Sequence, residues 1–130
     1  EEKQEYLSGT TVERIKHARE HLIQDMEHRI NLKDLAWEHN LSLTQLKDGF
    51  KQIYGVSPYA YLRNYKMHLA TRFLQESDRK VSEIALELGY QNPSKFAEAF
   101  CAVIGCSPSA YRKKKEMNGA VNESATITSK

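Results

Sequence analysis

The chain is poor in several features that would point the reading elsewhere. Its 130 residues include two cysteines, three prolines and one tryptophan, and no apolar run approaches the roughly 18 residues of a membrane-spanning helix. Cys101 and Cys106 are too few for a disulfide framework and follow no signal peptide, so a reducing compartment, the cytoplasm, is expected. A formal net charge of +2 is too small to imply a polyanionic partner by itself, and the placement of charge has to carry that inference. Glu1, Glu2 and Glu5 are acidic, whereas Arg112, Lys113, Lys114 and Lys115 form a basic run. The length suits one ordinary domain, or two very small ones sharing a helix, and makes a large multilayered enzyme unexpected. A first residue that is Glu is expected of a fragment with a further segment ahead of it.

What the chain does have is an internal repeat, in which the segment from Leu32 to Tyr61 recurs from Val81 to Tyr111. Leu32, Leu35, Ala36 and His39 match Val81, Ile84, Ala85 and Leu88, and the i, i+3, i+4, i+7 spacing predicts a short helix with one face buried. Asn40 and Gly89 come next, residues that tolerate positive φ and suit a tight turn. A second helix follows in each copy, with Leu43, Leu46, Phe50 and Ile53 matching Pro93, Phe96, Phe100 and Val103 as inward stripes. Ser42 or Thr44 is the expected N-cap of the first of these helices, and Asn92 before Pro93 that of the second. Each copy closes alike, Gly55-Val56-Ser57-Pro58-Tyr59-Ala60-Tyr61 against Gly105-Cys106-Ser107-Pro108-Ser109-Ala110-Tyr111. Glycine ends one helix, serine caps the next, and proline is pre-set for its first turn.

Between the copies, Pro58 to about Glu76 reads as one helix with Leu62, Leu69, Phe73 and Leu74 on its apolar side. At 1.5 Å per residue it is about 30 Å long, close to the roughly 34 Å of one turn of B-DNA. A further amphipathic helix, Val12 to about His28, carries Ile15, Ala18, Leu22 and Met26. The expected organisation is an N-terminal linker over 1–11, a first helix-turn-helix subdomain over 12–56 and a linker helix over 57–78. A second helix-turn-helix subdomain over 79–117 and a disordered tail of small polar residues over 118–130 complete it.

The stretch from about Val12 to Lys115 resembles the DNA-binding domain of AraC/XylS-type bacterial regulators. The most specific match is the run Val81-Ser82-Glu83-Ile84-Ala85-Leu86-Glu87-Leu88-Gly89-Tyr90-Gln91-Asn92-Pro93, continued by Ser94-Lys95-Phe96-Ala97-Glu98-Ala99-Phe100 and closed by Gly105 to Arg112. The resemblance implies an all-α fold of about seven helices, two helix-turn-helix subdomains joined by a long linker helix. It also implies a sensing or dimerising domain elsewhere in the full protein, through which a homodimer would form, and an asymmetric two-box site on double-stranded DNA. Activation of transcription through RNA polymerase is a further implication. The run Leu46-Lys47-Asp48-Gly49-Phe50 is similar to the siderophore-responsive subgroup.

With Leu43, Leu46, Phe50 and Ile53 inward, Thr44, Lys47, Asp48 and Lys51 form the solvent face of the first reading helix, and Gln45 lies at its edge. Lys47 suits guanine O6 and N7, Gln45 suits adenine, and Thr44 the thymine methyl. The resemblance places Thr44, Lys47 and Asp48 among the positions that reach base edges. The second reading helix offers Ser94, Ala97, Glu98 and Cys101, flanked by Asn92 and Lys95. Asp48 and Glu98 stand where relatives often carry arginine, and each either accepts from a cytosine amine or makes no contact. Lys51, Arg112, Lys113 and Lys114 are the candidate phosphate contacts.

Other readings are weaker. His17-Ala18-Arg19-Glu20-His21 spells the H-x-x-E-H of a zinc peptidase helix, but no third ligand and no large cleft are evident, so solvent-facing histidines and no enzyme are expected. Cys101 and Cys106 are poorly spaced for a metal and are expected to be small buried or half-buried thiols, with a redox switch at Cys101 the alternative. His39 is expected at a boundary or in the core, and Trp37, Tyr54, Tyr59, Tyr61 and Tyr65 in packing. No metal, cofactor or membrane partner is expected. The alternative from another class is a helical protein-interaction module that kept this fold and lost DNA affinity.

Overall fold

Apolar spacings of three and four residues produce helices throughout. The computed structural model describes residues 8–24, 26 and 29–114, and among them are seven helices and no strand. They are α1 (Gly9–Gln24), α2 (Leu32–Glu38), α3 (Leu43–Tyr54), α4 (Pro58–Glu76), α5 (Val81–Glu87), α6 (Pro93–Ile104) and α7 (108–114). The acidic N-terminal residues, Lys115 and the tail expected over 118–130 lie outside the described residues. The chain divides into two compact units at the Lys66–Met67 junction within α4.

In the first unit, Ile15, Ala18 and Leu22 of α1 are fully buried with Leu46 and Phe50 of α3, and Leu32, Leu35, Ala36, Leu41 and Leu62 complete the core. The turn from α2 to α3 passes through Asn40 at φ 59°, and α3 ends at Gly55 with φ 85°, left-handed positions that asparagine and glycine tolerate. Tyr61 packs edge to face on Phe50, ring centroids 5.7 Å apart, and its hydroxyl accepts a hydrogen bond from Arg19 at 2.9 Å.

The second unit buries Met67, Ala70 and Leu74 of α4 with Ile84, Ala85, Leu88, Phe96 and Phe100. Its turn passes through Gly89 at φ 90°, and Tyr111 meets Phe100 edge to face, again at 5.7 Å. The repeat therefore reaches further than α2–α3 against α5–α6. Ile15, Ala18 and Leu22 are spaced as Met67, Ala70 and Leu74 are, so the second half of α4 does for its unit what α1 does for the first.

Several details differ from the sequence expectations. Helix α1 begins at Gly9, three residues early, because the Ser8 hydroxyl accepts from the Thr11 amide at 3.0 Å and caps it. It ends at Gln24, so Met26 packs on the core from beyond the helix. In α4 the half-buried Leu69 and Phe73 yield the interior to Met67 and Ala70, whose spacing with Leu74 makes the continuous stripe. Pro93 is exposed: at the first position of α6 it lies outside the buried face and contributes backbone geometry. Trp37 is 82% exposed and does not pack, and Tyr59 and Tyr65 are also exposed, whereas Tyr54 and Tyr61 stack with Phe50 as expected. Leu86, which holds the place of Trp37 in the repeat, is likewise exposed.

Candidate nucleic-acid interface

In both units the second helix of the helix-turn-helix has one buried face and one polar face. On α3 the exposed residues are Thr44, Gln45, Lys47, Asp48 and Lys51, while Leu46, Gly49 and Phe50 are buried. The face predicted from periodicity is the one that meets solvent. On α6, Ser94, Lys95, Glu98 and Cys101 are exposed and Ala97 is half-buried, opposite Phe96 and Phe100.

The helix starts are held firmly. The Ser42 hydroxyl accepts from the Gln45 amide at 3.0 Å, and the Gln45 side-chain oxygen accepts from the Ser42 amide at 2.9 Å, a reciprocal capping box. Gln45 thus has its carbonyl oxygen engaged within the protein, leaving its NH2 group for a ligand. Asn92 is similarly occupied, its Oδ1 accepting from the amides of Ser94 at 2.8 Å and Lys95 at 3.4 Å. Capping fixes the first turn of α3 and of α6.

Basic residues gather beside α3. Arg29, Lys33 and Lys47 line a shallow depression of about 500 Å³, with Leu43 and Tyr59 in its walls. The Tyr59 hydroxyl donates to the carbonyl of Ile30 at 3.3 Å, which ties the start of α4 to the chain entering α2. Three cations around one hollow next to an exposed helix face make it a place of positive charge on the surface of the first unit.

At the end of α2 a second cluster forms. His39 Nε2 lies 3.1 Å from His21 Nδ1, and His21 Nδ1 lies 3.3 Å from the Glu38 carboxylate. His39 titrates below the ordinary histidine range because of burial first, then the charge of His21, with Glu38 opposing and His17 reinforcing. His21 is half-buried rather than solvent-facing, because α1 turns it towards α2, while His17 is exposed as expected.

A family model described as a helix-turn-helix domain matches residues 35–114. The chain belongs to the AraC/XylS-type helix-turn-helix family. It corresponds to the DNA-binding portion of these transcription regulators. It is 34% identical over 91 residues to the transcriptional regulator ExsA of Pseudomonas aeruginosa, covering 70% of this chain and 33% of that protein. It is 31% identical over 84 residues to the virulence regulon transcriptional activator VirF of Yersinia enterocolitica, covering 65% of this chain and 31% of the relative. The chain thus spans about a third of the length of these relatives. Among solved structures, the DNA-binding domain of the global transcriptional factor AdpA, in complex with a target DNA, is 26% identical with a TM-score of 0.70, covering 85% of this chain and 96% of that one. The resemblance of the run from Leu46 to Phe50 to the siderophore-responsive subgroup gains no support from these relatives.

Within this family frame, the predicted site residues divide into three groups. Thr44, Lys47, Asp48, Lys51, Ser94, Lys95 and Glu98 stand on the exposed faces of α3 and α6, and Lys113 and Lys114 are exposed on α7. Gln45 and Asn92 share their polar groups with helix caps. Arg112 turns inward, its Nε donating to the Leu74 carbonyl and one Nη to the Ser77 carbonyl, both at 3.1 Å, so it braces the end of α4. Cys101 and Cys106 are free thiols, but Cys101 is exposed rather than buried, since it lies on the face of α6 away from Phe96 and Phe100. Arg29 and Lys33 were not found from the sequence, although Lys33 stands two residues after Asn31, the residue that caps α2.

Proposed function

We propose that this chain binds double-stranded DNA sequence-specifically, presenting α3 and α6 to successive major grooves of one duplex. The observation that carries the reading is the pair of capped helices, each buried on one face and polar on the other, with Arg29, Lys33 and Lys47 gathered beside the first. Lys47, Asp48 and Thr44 read bases in one groove, joined by the free amide nitrogen of Gln45. Ser94, Lys95 and Glu98, with Asn92 at the cap, serve the other. Lys51, Arg29 and Lys33 of the first unit and Lys113 and Lys114 of the second meet phosphates, and Arg112 braces the second unit behind Lys113 and Lys114. AdpA, solved on its target DNA, supports the partner class.

In the full protein this domain works in the cytoplasm as a transcription regulator and not as an enzyme. No described helix is long and apolar enough to cross a membrane. It activates transcription through RNA polymerase, a role supported by the activator VirF, and any homodimer forms through the part of such regulators that this chain does not span. The domain organisation proposed is the one read from the repeat, with the first boundary moved to the start of α1.

The test is the affinity for a labelled random duplex across a salt series. Binding through phosphates gives a log–log slope near −0.9 per ion contact, so a slope of about −4 to −6 is expected. Salt-independent binding, or none at low salt, favours a helical protein-interaction module instead.

A further inference from the structure

The corner where α2 ends is built differently in the two units, and the difference leaves a place for a cation. In the second unit the chain supplies its own. Arg79 pairs with the Glu87 carboxylate, and its guanidinium lies over the Phe73 ring, 5.1 Å from the centroid. The repeat sets Ile30 in the place of Arg79, Glu38 in that of Glu87, His39 in that of Leu88 and His21 in that of Phe73. The first unit therefore keeps the carboxylate, loses the arginine, and turns two imidazoles towards the vacated position.

The geometry points to a binding site for a borderline divalent transition metal of the Zn2+ class, held by His21 Nδ1, His39 Nε2 and the Glu38 carboxylate. The three ligand atoms lie within 4.8 Å of one another. A tetrahedral ion with bonds of about 2.0–2.1 Å sets its ligand atoms roughly 3.3 Å apart, and the observed separations are 3.1 Å between the imidazoles and 3.3 Å from imidazole to carboxylate. Without a metal only one proton fits between the two ring nitrogens, so one lone pair always faces the gap. Two neutral imidazoles and a carboxylate make a nitrogen–oxygen set suited to Zn2+, Ni2+ or Co2+. The cluster supplies three ligand atoms, so water would complete the tetrahedron. Only His21 of the H-x-x-E-H spelling belongs to this set, because His17 and Glu20 are exposed and the other two ligands come from α2 and its cap.

The ion would tie α1 to the end of α2, one residue before the Asn40 turn that leads into the reading helix, and so stiffen the first unit. The inference rests on the first unit alone and stands apart from the DNA-binding reading. The test is titration of the metal-stripped chain with Co2+, followed by visible absorption, with Ni2+ or Zn2+ uptake measured by equilibrium dialysis. One equivalent per chain, an intense tetrahedral band without a thiolate charge-transfer band, and a raised melting temperature are expected. His39→Leu, which installs the residue of the second unit, should remain folded by circular dichroism and lose affinity by more than about tenfold, as should His21→Gln. Absence of stoichiometric uptake, a thiolate band showing capture by Cys101 or Cys106, or unchanged affinity in a folded His39→Leu protein would each overturn the proposal.

Discussion

Gly49 of α3 faces Ile15 of α1 so closely that a β-carbon at position 49 would overlap the Ile15 Cδ1 and lie 3.2 Å from its Cγ1. Ile15 is itself fully buried, so its side chain has little freedom to withdraw. The missing side chain at 49 is what allows the reading helix to lie flat on the helix behind it, and the second unit has Ala99 at the same place opposite the more adaptable Met67 of the repeat.

Gly49→Ala should therefore destabilise the first unit by about 1–3 kcal/mol through overpacking, outweighing a gain of up to about 1 kcal/mol in helix propensity. Ile15→Val deletes the obstructing methyl at a cost of about 0.5–1.5 kcal/mol. Urea unfolding of both single variants and the double variant checks the relationship: the double should be more stable than the sum of the two losses predicts, by at least about 0.5 kcal/mol. Strict additivity would refute the contact.

Arg112 and Lys113 are neighbours in sequence with different work. Arg112→Ala strands the carbonyls of Leu74 and Ser77 and should cost the second unit about 1–3 kcal/mol, with little change in the salt slope of DNA binding. Lys113→Ala should leave the unfolding midpoint within about 0.5 kcal/mol and reduce the salt slope by about one ion contact. The comparison of midpoints and slopes for the two variants separates brace from phosphate contact, and a reversal of the two results would contradict the assignment.

His39 gives the metal-free protein a pH dependence whose sign follows from its lowered folded-state pKa. Below about pH 6.5 the unfolded chain takes up a proton that the folded chain resists, so stability falls as the pH drops through that value; above it both states are neutral and the effect vanishes. With chelator present, stability measured at pH 7.5 and 5.5 should fall less for His39→Leu than for the unaltered chain. Equal falls would show that His39 is not the group responsible.

Much of this was legible in the sequence because the repeat supplies two examples of each signal. Asn40 and Gly89 mark turns that need positive φ, Asn92 and Ser42 mark caps, and the spacing of Leu46 and Phe50 fixes which face of α3 is wet. What stayed hidden depends on partners far apart in the chain. Nothing near Arg112 announces carbonyls 38 and 35 positions earlier, and Met67 and Ala70 are less conspicuous than Leu69 and Phe73 until the stripe of α1 is laid beside them. The pairing of His21 with His39 required the packing of α1 on α2. The exposure of Trp37 ran against the apolar character of the side chain, which sets a tendency and not a position.

The most direct test of the central claim is selection of tight binders from a random duplex pool by this chain and by its Lys47→Ala variant. Two short boxes about one helical turn apart are expected, with the variant relaxing preference in one box and retaining the other. Enrichment of no sequence, or a variant that alters both boxes equally, would contradict the assignment of α3 and α6 as separate readers of one duplex.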